Sequence, residues 1–215
     1  MPTIPTLTKR MAELIGSPSI SSADPQWDQS NLGVIHALAG WCETLGFSVE
    51  IETVAPGKAN LIATLGPVTS GTIPGGLVLS GHTDTVPCNP DLWLSNPFKA
   101  TLRDDRLYGL GSCDMKGFFA IALEAASRFE AKDLKQPLIL IGTADEESSM
   151  SGARQLVANS RQLGRKAVIG EPTGLQPIRV HKGVMMESIR VKGRAGHSSD
   201  PALGANAILG MHQVI

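Results

Sequence analysis

The hydrophobic positions in the first third of the chain switch from helical to strand-like spacing. Apolar residues recur at helical spacing over residues 7–15 and again from about residue 28 to residue 45, and Gly46 follows as a residue type that commonly ends helices. Three strand-like segments come next, at residues 47–51, 60–65 and 76–80. The pattern therefore predicts two helices followed by three strands of a sheet.

The middle of the chain combines a very apolar helix with a very apolar strand. Residues 115–129 are hydrophobic nearly all round, which is typical of a helix that is buried on most sides against a sheet. The apolar run at 138–141 is continuous, as in a strand covered on both faces. A helix at about 151–158 and a strand at 167–169 continue the alternation. We predict the α/β class, with a three-layer αβα domain around a mainly parallel sheet.

The pattern changes after about Pro177. Residues 179–184 and 187–193 alternate like exposed antiparallel strands, and a helix begins near Gly204 and reaches Ile215 without a stop signal. We predict a first domain over residues 1–178 and the beginning of a smaller α+β domain over residues 179–215, which we expect to be truncated.

Composition narrows the range of partners. The chain has 215 residues, 42% of them hydrophobic and 18% charged, and a formal net charge of −1, so it lacks the basic surface expected for binding nucleic acid or an anionic membrane. It has no apolar run of about 18 residues and no signal-peptide pattern at its start. Three cysteines do not suggest a disulfide framework. We expect a cytoplasmic protein without nucleic-acid or membrane partners.

Four candidate metal ligands follow the predicted strands and turns. They are His82, Asp114, Glu147 and Glu171, and each comes where an apolar run gives way to small or polar residues. Functional sites in α/β sheets gather at the carboxyl ends of the strands, so these side chains could meet in one cleft. One imidazole and three carboxylates suit zinc, cobalt or manganese. The sequence therefore predicts a metal-dependent hydrolase.

Two further carboxylates fit supporting roles in such a site. Asp84 lies two residues after His82, on the same side of an extended segment, and can accept a hydrogen bond from the ring nitrogen that is not on the metal. Glu146 and Glu147 are adjacent and point to opposite sides, so Glu147 can bind a metal while Glu146 acts as the general base. The segment could instead be a solvated acidic turn that caps the next helix.

Several of these side chains could have more than one role. Asp114 could bridge two metals about 3.5–4 Å apart, could cap the helix that follows it, or could do both. His82 could instead be a strand-end residue bonded to a backbone carbonyl. His197 could donate a hydrogen bond to an oxyanion or could be an exposed loop residue. His36 and His212 lie on helical patterns and are interpreted as structural.

Five motifs, taken together and in this order, resemble the binuclear zinc aminoacylase/carboxypeptidase family of metallopeptidases. They are residues 81–87 (Gly-His-Thr-Asp-Thr-Val-Pro), 108–117 (Tyr-Gly-Leu-Gly-Ser-Cys-Asp-Met-Lys-Gly), 144–147 (Ala-Asp-Glu-Glu), 170–173 (Gly-Glu-Pro-Thr) and 196–198 (Gly-His-Ser). The stretches 108–120, 146–154 and 170–177 most resemble a family member that deacetylates an N-acetylated amino acid.

The resemblance implies a role for each residue of the cluster. His82 and Glu171 would hold one zinc ion, Asp114 would bridge, and Glu147 would hold the second zinc ion. Glu146 would be the general base, and Asp84 would orient His82. His197 would reach the site from a lid domain, in some relatives across a homodimer. The family also implies a cis peptide bond between Asp114 and Met115.

The resemblance further implies two Zn²⁺ per full-length subunit, with Co²⁺ as a substitute, and a small N-acylated amino acid as substrate. Family members are longer, and a later segment returns to complete the sheet and supplies a final His ligand. His212 does not match that ligand, so we expect residues 1–178 to lack this return segment. Desuccinylation of a diamino acid and dipeptide hydrolysis are the neighbouring activities. The alternative that involves no catalysis is an inactive, truncated homologue that acts as a binding or association module.

Overall fold

The computed structural model describes residues 3–67, 75–161, 163–180, 182–183 and 187–214. Seven strands are present in this part of the chain: β1 (Ser48–Ala55), β2 (Lys58–Leu65), β3 (Leu77–His82), β4 (Thr101–Arg103), β5 (Arg106–Tyr108), β6 (Leu138–Thr143) and β7 (Lys166–Ile169). The helices are α1 (Leu7–Ile15), α2 (Leu32–Thr44), α3 (Lys116–Ala126), α4 (Ser151–Ala158) and α5 (Ala207–His212). None of these helices has the length and apolarity needed to cross a lipid bilayer.

Five of the strands form one mixed sheet in the order β1-β2-β6-β3-β7, and β4 and β5 form a separate hairpin. The pairs β3–β6 and β3–β7 are parallel, whereas β2 is antiparallel to both β1 and β6. Every strand of this sheet except β2 therefore runs in the same direction, which confirms the prediction of a mainly parallel sheet. Because β2 is reversed, its first residue lies at the edge where β3 and β6 end.

Helices cover both faces of this sheet, which confirms the layered α/β fold. On one face α2 and α3 pack against alternate residues of β2, Leu61, Ala63 and Leu65. On the other face Ile62 and the β6 residues Ile139 and Ile141 pack with Leu156 of α4. The alternation in β2 arises because successive side chains of a strand point to opposite faces. The run at 138–141 is buried on both faces apart from its first residue, as predicted.

Helix α3 is largely buried, as its composition predicts, but it is shorter than the apolar pattern. Phe119, Ala120 and Leu123 are buried against the sheet, while Ile121 is 53% exposed. The helix ends at Ala126 and not at residue 129. Helix α2 likewise begins at Leu32 and not near residue 28, because Asn31 bonds instead to the neighbouring strand. The side-chain Nδ2 atom of Asn31 donates to the carbonyl oxygen of Ala59 in β2 and to Oγ1 of Thr83.

The chain divides into two compact units, Met1–Leu175 and Gln176–Ile215. In the second unit the predicted strands at 179–184 and 187–193 are wrong for the residues that the structure describes there, since these residues form no strand. Their side chains are almost all exposed, and an isolated alternating segment without a partner strand does not form a stable ladder. His181 and residues 184–186 lie outside the described part. Helix α5 is present, and the Asn206 side chain accepts hydrogen bonds from the amides of Ile208 and Leu209.

Candidate metal centre

The predicted ligands gather at the carboxyl edge of the parallel strands. His82 is the last residue of β3 and pairs in register with Thr143, the last residue of β6. The adjacent Glu146 and Glu147 follow β6, and Glu171 follows β7 by two residues. Asp114 comes from the loop before α3. Parallel strands therefore bring residues that are far apart in the sequence to one edge of the sheet.

The distances around His82 define two sets of potential ligands. Its Nε2 atom lies 3.1 Å from Oδ1 of Asp114 and 3.8 Å from Oε1 of Glu171. One set of ligand atoms within 4.8 Å of one another comprises His82, Glu146 and Glu171, and the other comprises His82, Asp114 and Glu147. The His82 ring is buried, whereas the Asp114 side chain is 51% exposed. The cluster is thus open to small molecules on its carboxylate side.

The inner nitrogen of His82 is held by a backbone atom. Nδ1 lies 3.0 Å from the carbonyl oxygen of Asp84 and 3.8 Å from the Oδ1 atom of the same residue. The expected residue, Asp84, therefore accepts this hydrogen bond, but its backbone carbonyl oxygen is the acceptor. The prediction that its carboxylate accepts is wrong. A carbonyl oxygen can only accept, so Nδ1 carries a proton, and Nε2 is the ring nitrogen that faces the carboxylates and would face a metal.

The Asp84 carboxylate has a different pair of partners. Its Oδ1 accepts a hydrogen bond from the Glu146 amide at 3.2 Å, and its Oδ2 accepts one from the Glu147 amide at 3.0 Å. Asp84 is completely buried. It therefore fixes the backbone of the two adjacent glutamates from inside the protein. The sequence carries no local signal for this contact, because more than sixty residues separate the partners.

Burial disfavours the charged forms of Asp84, Glu147 and Glu171, and repulsion between carboxylates adds to this at the two glutamates. Burial raises the pKa of Glu147 and of Glu171, and the charges of Asp114, Glu146 and Asp84 raise it further against the opposing effect of His82. Burial also raises the pKa of Asp84, although its amide hydrogen bonds and His82 oppose this. Burial alone would lower the pKa of His82, but the surrounding carboxylates outweigh it and the pKa is raised. A bound cation would relieve this repulsion.

The donor set fits a divalent metal. It offers one imidazole nitrogen, held in place by the hydrogen bond at Nδ1, and several carboxylate oxygens, which are the ligands that zinc accepts. The Asp114 carboxylate can serve as a metal ligand because it does not cap α3. Met115 occupies the position before the first turn of that helix, and no side chain caps the turn. The peptide bond between Asp114 and Met115 is cis, as the family resemblance implies.

His197 belongs to the second unit and is exposed. Its Nδ1 atom accepts a hydrogen bond from the Ser199 amide at 3.2 Å and lies 2.7 Å from Ser199 Oγ. Its predicted contribution to the active site stays a prediction. His36 and His212 lie on α2 and α5, as the helical patterns indicate.

Asp145 is a residue whose role the sequence does not reveal. A solvated helix cap would leave its side chain in water, but that side chain is only 13% exposed and bonds to Lys58. Lys58 begins β2 and reaches this edge of the sheet because β2 is reversed. No spacing rule links these residues, which are 87 positions apart.

Comparisons with known proteins agree with this geometry. The model of Peptidase family M20/M25/M40 matches residues 78–209. The chain is 51% identical over 214 residues to acetylornithine deacetylase of Proteus mirabilis, covering 99% of this chain and 54% of that protein. It is 50% identical to acetylornithine deacetylase of Yersinia pseudotuberculosis, with 99% and 55% covered. The chain thus spans about half the length of the curated relatives it matches.

Solved structures with low sequence identity share the fold. Human carnosine dipeptidase 1 aligns with a TM-score of 0.60 and 22% identity, over 76% of this chain and 37% of that chain. A tripeptidase from Staphylococcus aureus aligns with a TM-score of 0.59 and 20% identity, over 96% of this chain and 54% of that chain. Since the family match alone spans more than half of the sequence, the chain belongs to Peptidase family M20/M25/M40.

Proposed function

We propose that this protein is a metal-dependent amide hydrolase that converts N2-acetyl-L-ornithine to L-ornithine and acetate, a step of arginine biosynthesis. The observation that carries the chemistry is the convergence of His82 with four carboxylates at one sheet edge. The substrate is inferred from the similarity to acetylornithine deacetylases along nearly the whole chain. These relatives are about twice as long, so the activity is proposed for the whole protein.

Two zinc ions per full-length subunit, or cobalt in their place, are proposed as the cofactor. His82 and Glu171 would hold one ion, Glu147 would hold the other, and Asp114 would lie between them. When bound, such ions lower the pKa of a water molecule and polarise the carbonyl group of the substrate. The Nδ1 hydrogen bond to the Asp84 carbonyl orients the ring so that Nε2 of His82 is the nitrogen available to such an ion.

Glu146 is the proposed general base and acid. Its carboxylate takes a proton from the attacking water as the oxygen–carbon bond forms, and it returns that proton to the nitrogen as the carbon–nitrogen bond breaks. The products are a carboxylic acid and a free amine, and no further reactant is needed. The hydrogen bond from the Glu146 amide to Asp84 fixes the backbone from which this side chain extends. His197 is proposed as a hydrogen-bond donor to the oxyanion.

The remaining proposals concern the cellular setting. Cys42, Cys88 and Cys113 are free thiols, which agrees with a reducing, cytoplasmic compartment. A homodimer formed through the second unit follows from the family resemblance alone.

The proposal is tested by assaying N2-acetyl-L-ornithine and N-succinyl-L,L-diaminopimelate side by side with the wild-type protein and the Glu146→Gln variant. We expect turnover of the acetyl substrate, lowered by about 10²- to 10⁴-fold in the variant while the metal content is unchanged. Preference for the succinyl substrate would overturn the substrate assignment. Loss of a metal ion in Glu146→Gln would show that Glu146 is a metal ligand and would overturn its role as the general base.

A further inference from the structure

We propose that Asp145, held by the buried ammonium group of Lys58, is a positioning residue that sets the direction of the Glu146 and Glu147 side chains. The inference rests on the proposed function, because the direction of these side chains matters only if the cluster binds metal. Asp145 directly precedes the pair and is not one of the ligands assigned above.

The backbone of Asp145 adopts a conformation that its neighbours must maintain. Its φ angle is 55°, in the left-handed region that residues other than glycine rarely occupy. Its carbonyl oxygen accepts a hydrogen bond from the Met150 amide at 2.6 Å, which closes a short turn around both glutamates. The directions in which the two glutamate side chains leave the turn therefore depend on this residue.

The Asp145 side chain is fixed by three different parts of the chain. Its Oδ1 atom accepts hydrogen bonds from Lys58 Nζ at 2.7 Å and from Ser21 Oγ at 2.9 Å. Its Oδ2 atom accepts one from Oγ of Ser151, the first residue of α4, at 3.0 Å. Because both oxygens are engaged and little of the side chain is exposed, the carboxylate has one strongly preferred orientation.

Lys58 makes this arrangement rigid. Its side chain is 7% exposed, and its Nζ atom bonds to Asp28 Oδ1 at 2.8 Å as well as to Asp145. A buried ammonium group without a partner is strongly unfavourable, so Lys58 and Asp145 hold each other in place. We call Lys58, Asp28, Asp145, Ser21 and Ser151 the Asp145 network.

The turn is thus held at two points. The Asp145 network holds it from one side, and the Asp84 carboxylate holds the amides of Glu146 and Glu147 from the other. Glu146 falls in the ligand set with Glu171, and Glu147 falls in the set with Asp114. A small rotation at Asp145 would move each glutamate relative to its set. The Asp145 network therefore acts on the metal centre through the turn.

The test is a titration of the purified, metal-free chain with Co²⁺, followed by visible absorption, which reports both affinity and ligand geometry. The variants are Asp145→Asn and Lys58→Met. Asparagine tolerates the left-handed conformation, so Asp145→Asn removes the charge without forcing the backbone to change. The matched control is Glu124→Gln. It also removes the charge of a carboxylate that pairs with a buried cation, Arg10, but Glu124 lies on α3 and outside the Asp145 network.

We expect both network variants to lower Co²⁺ affinity by about 10- to 100-fold and to change the absorption bands, as changes near metal ligands commonly do. Glu124→Gln should keep the wild-type affinity and spectrum even where its melting temperature falls. Wild-type binding by both network variants, with lowered stability alone, would overturn the positioning role and leave the proposed metal centre standing. Absence of Co²⁺ binding by the wild-type chain would overturn both proposals together.

Discussion

Glu147 donates its main-chain amide to Oδ2 of Asp84 across 63 positions of sequence, at 3.0 Å. The same carboxylate accepts the Glu146 amide through its other oxygen. The loop after β3 is thereby joined to the loop after β6 at the edge where His82 lies. Asp84 serves the site twice, since its carbonyl oxygen orients the His82 ring and its carboxylate fixes the glutamates.

Replacing Asp84 with asparagine should weaken metal binding. An amide group can accept through its oxygen only, so one of the two glutamate amides would face an NH₂ group and lose its partner. We expect a fall in Zn²⁺ or Co²⁺ affinity of about 10- to 100-fold, measured by calorimetric titration. The cost in the free energy of unfolding should be about 1–3 kcal/mol.

Asp104→Asn is the control for this variant, since the Asp104 side chain is 84% exposed. It should change neither the metal affinity nor the free energy of unfolding. Equal metal affinity in Asp84→Asn and the wild type would show that the two amide bonds do not support the centre.

Two glycine-to-alanine changes in helices should have opposite effects on stability. A Cβ atom at Gly117, in α3, would lie 2.1 Å from the Ser112 carbonyl oxygen, which belongs to the backbone of the loop that carries Asp114. We expect Gly117→Ala to cost about 1–3 kcal/mol in the free energy of unfolding. A Cβ atom at Gly40, in α2, has no atom within 4 Å, so Gly40→Ala should stabilise by about 0.5–1 kcal/mol. Denaturant titration measures both, and a neutral Gly117→Ala would contradict the packing of this loop.

The two faces of α3 should respond differently to truncation. Phe119 is fully buried, and its ring lies close to Gly81 of β3 and Gly142 of β6. Phe119→Ala should lower the free energy of unfolding by about 3–5 kcal/mol because it leaves a cavity beneath the sheet. Ile121→Ala, on the exposed side of the same helix, should change it by about 0.5 kcal/mol or less. Similar losses for both variants would mean that Ile121 is covered.

The Cys42 thiol should make stability depend on alkaline pH. Burial, followed by the charge of Glu43, raises the pKa of Cys42 from 9.0 to about 12. Between these values the unfolded chain releases the proton and the folded chain keeps it, so the free energy of unfolding falls as pH rises. The wild-type advantage over Cys42→Ala should shrink by about 1.4 kcal/mol between about pH 8 and about pH 10. Denaturant titrations at the two pH values measure this, and a constant difference would contradict it.

Much of the first unit could be predicted from periodicity. Apolar residues point alternately to the two faces of β2 around Leu61 and Ile62, and they run continuously at 138–141. Both patterns arise because these strands are buried on two faces. Strands β3, β6 and β7 end at one edge, so the convergence of His82, Glu147 and Glu171 follows from their positions after apolar runs. The strands predicted at 179–184 and 187–193 are wrong for the described residues. Alternating apolar and polar residues indicate which side of a strand would be buried, but they do not identify a partner strand.

The atoms that form the hydrogen bonds within the site could not be predicted. Whether the ring of His82 bonds to the carboxylate or to the carbonyl of Asp84 depends on where the Glu146 and Glu147 amides lie, and these come from another strand. The contact between Lys58 and Asp145 depends on the reversal of β2, which hydrophobic spacing does not encode. Sequence patterns place residues at an edge, whereas long-range packing selects the atoms that meet there.

The assignment of the His82 cluster as the metal centre is tested by measuring the metal content of the purified whole protein after dialysis, beside a His82→Ala variant. Hydrolysis of N2-acetyl-L-ornithine is assayed on the same samples. We expect zinc or cobalt to remain bound to the wild-type chain, to be lost from His82→Ala, and hydrolysis to follow the bound metal. A wild-type chain that retains no metal, or that retains only as much as His82→Ala, would contradict the assignment of this cluster as the metal centre.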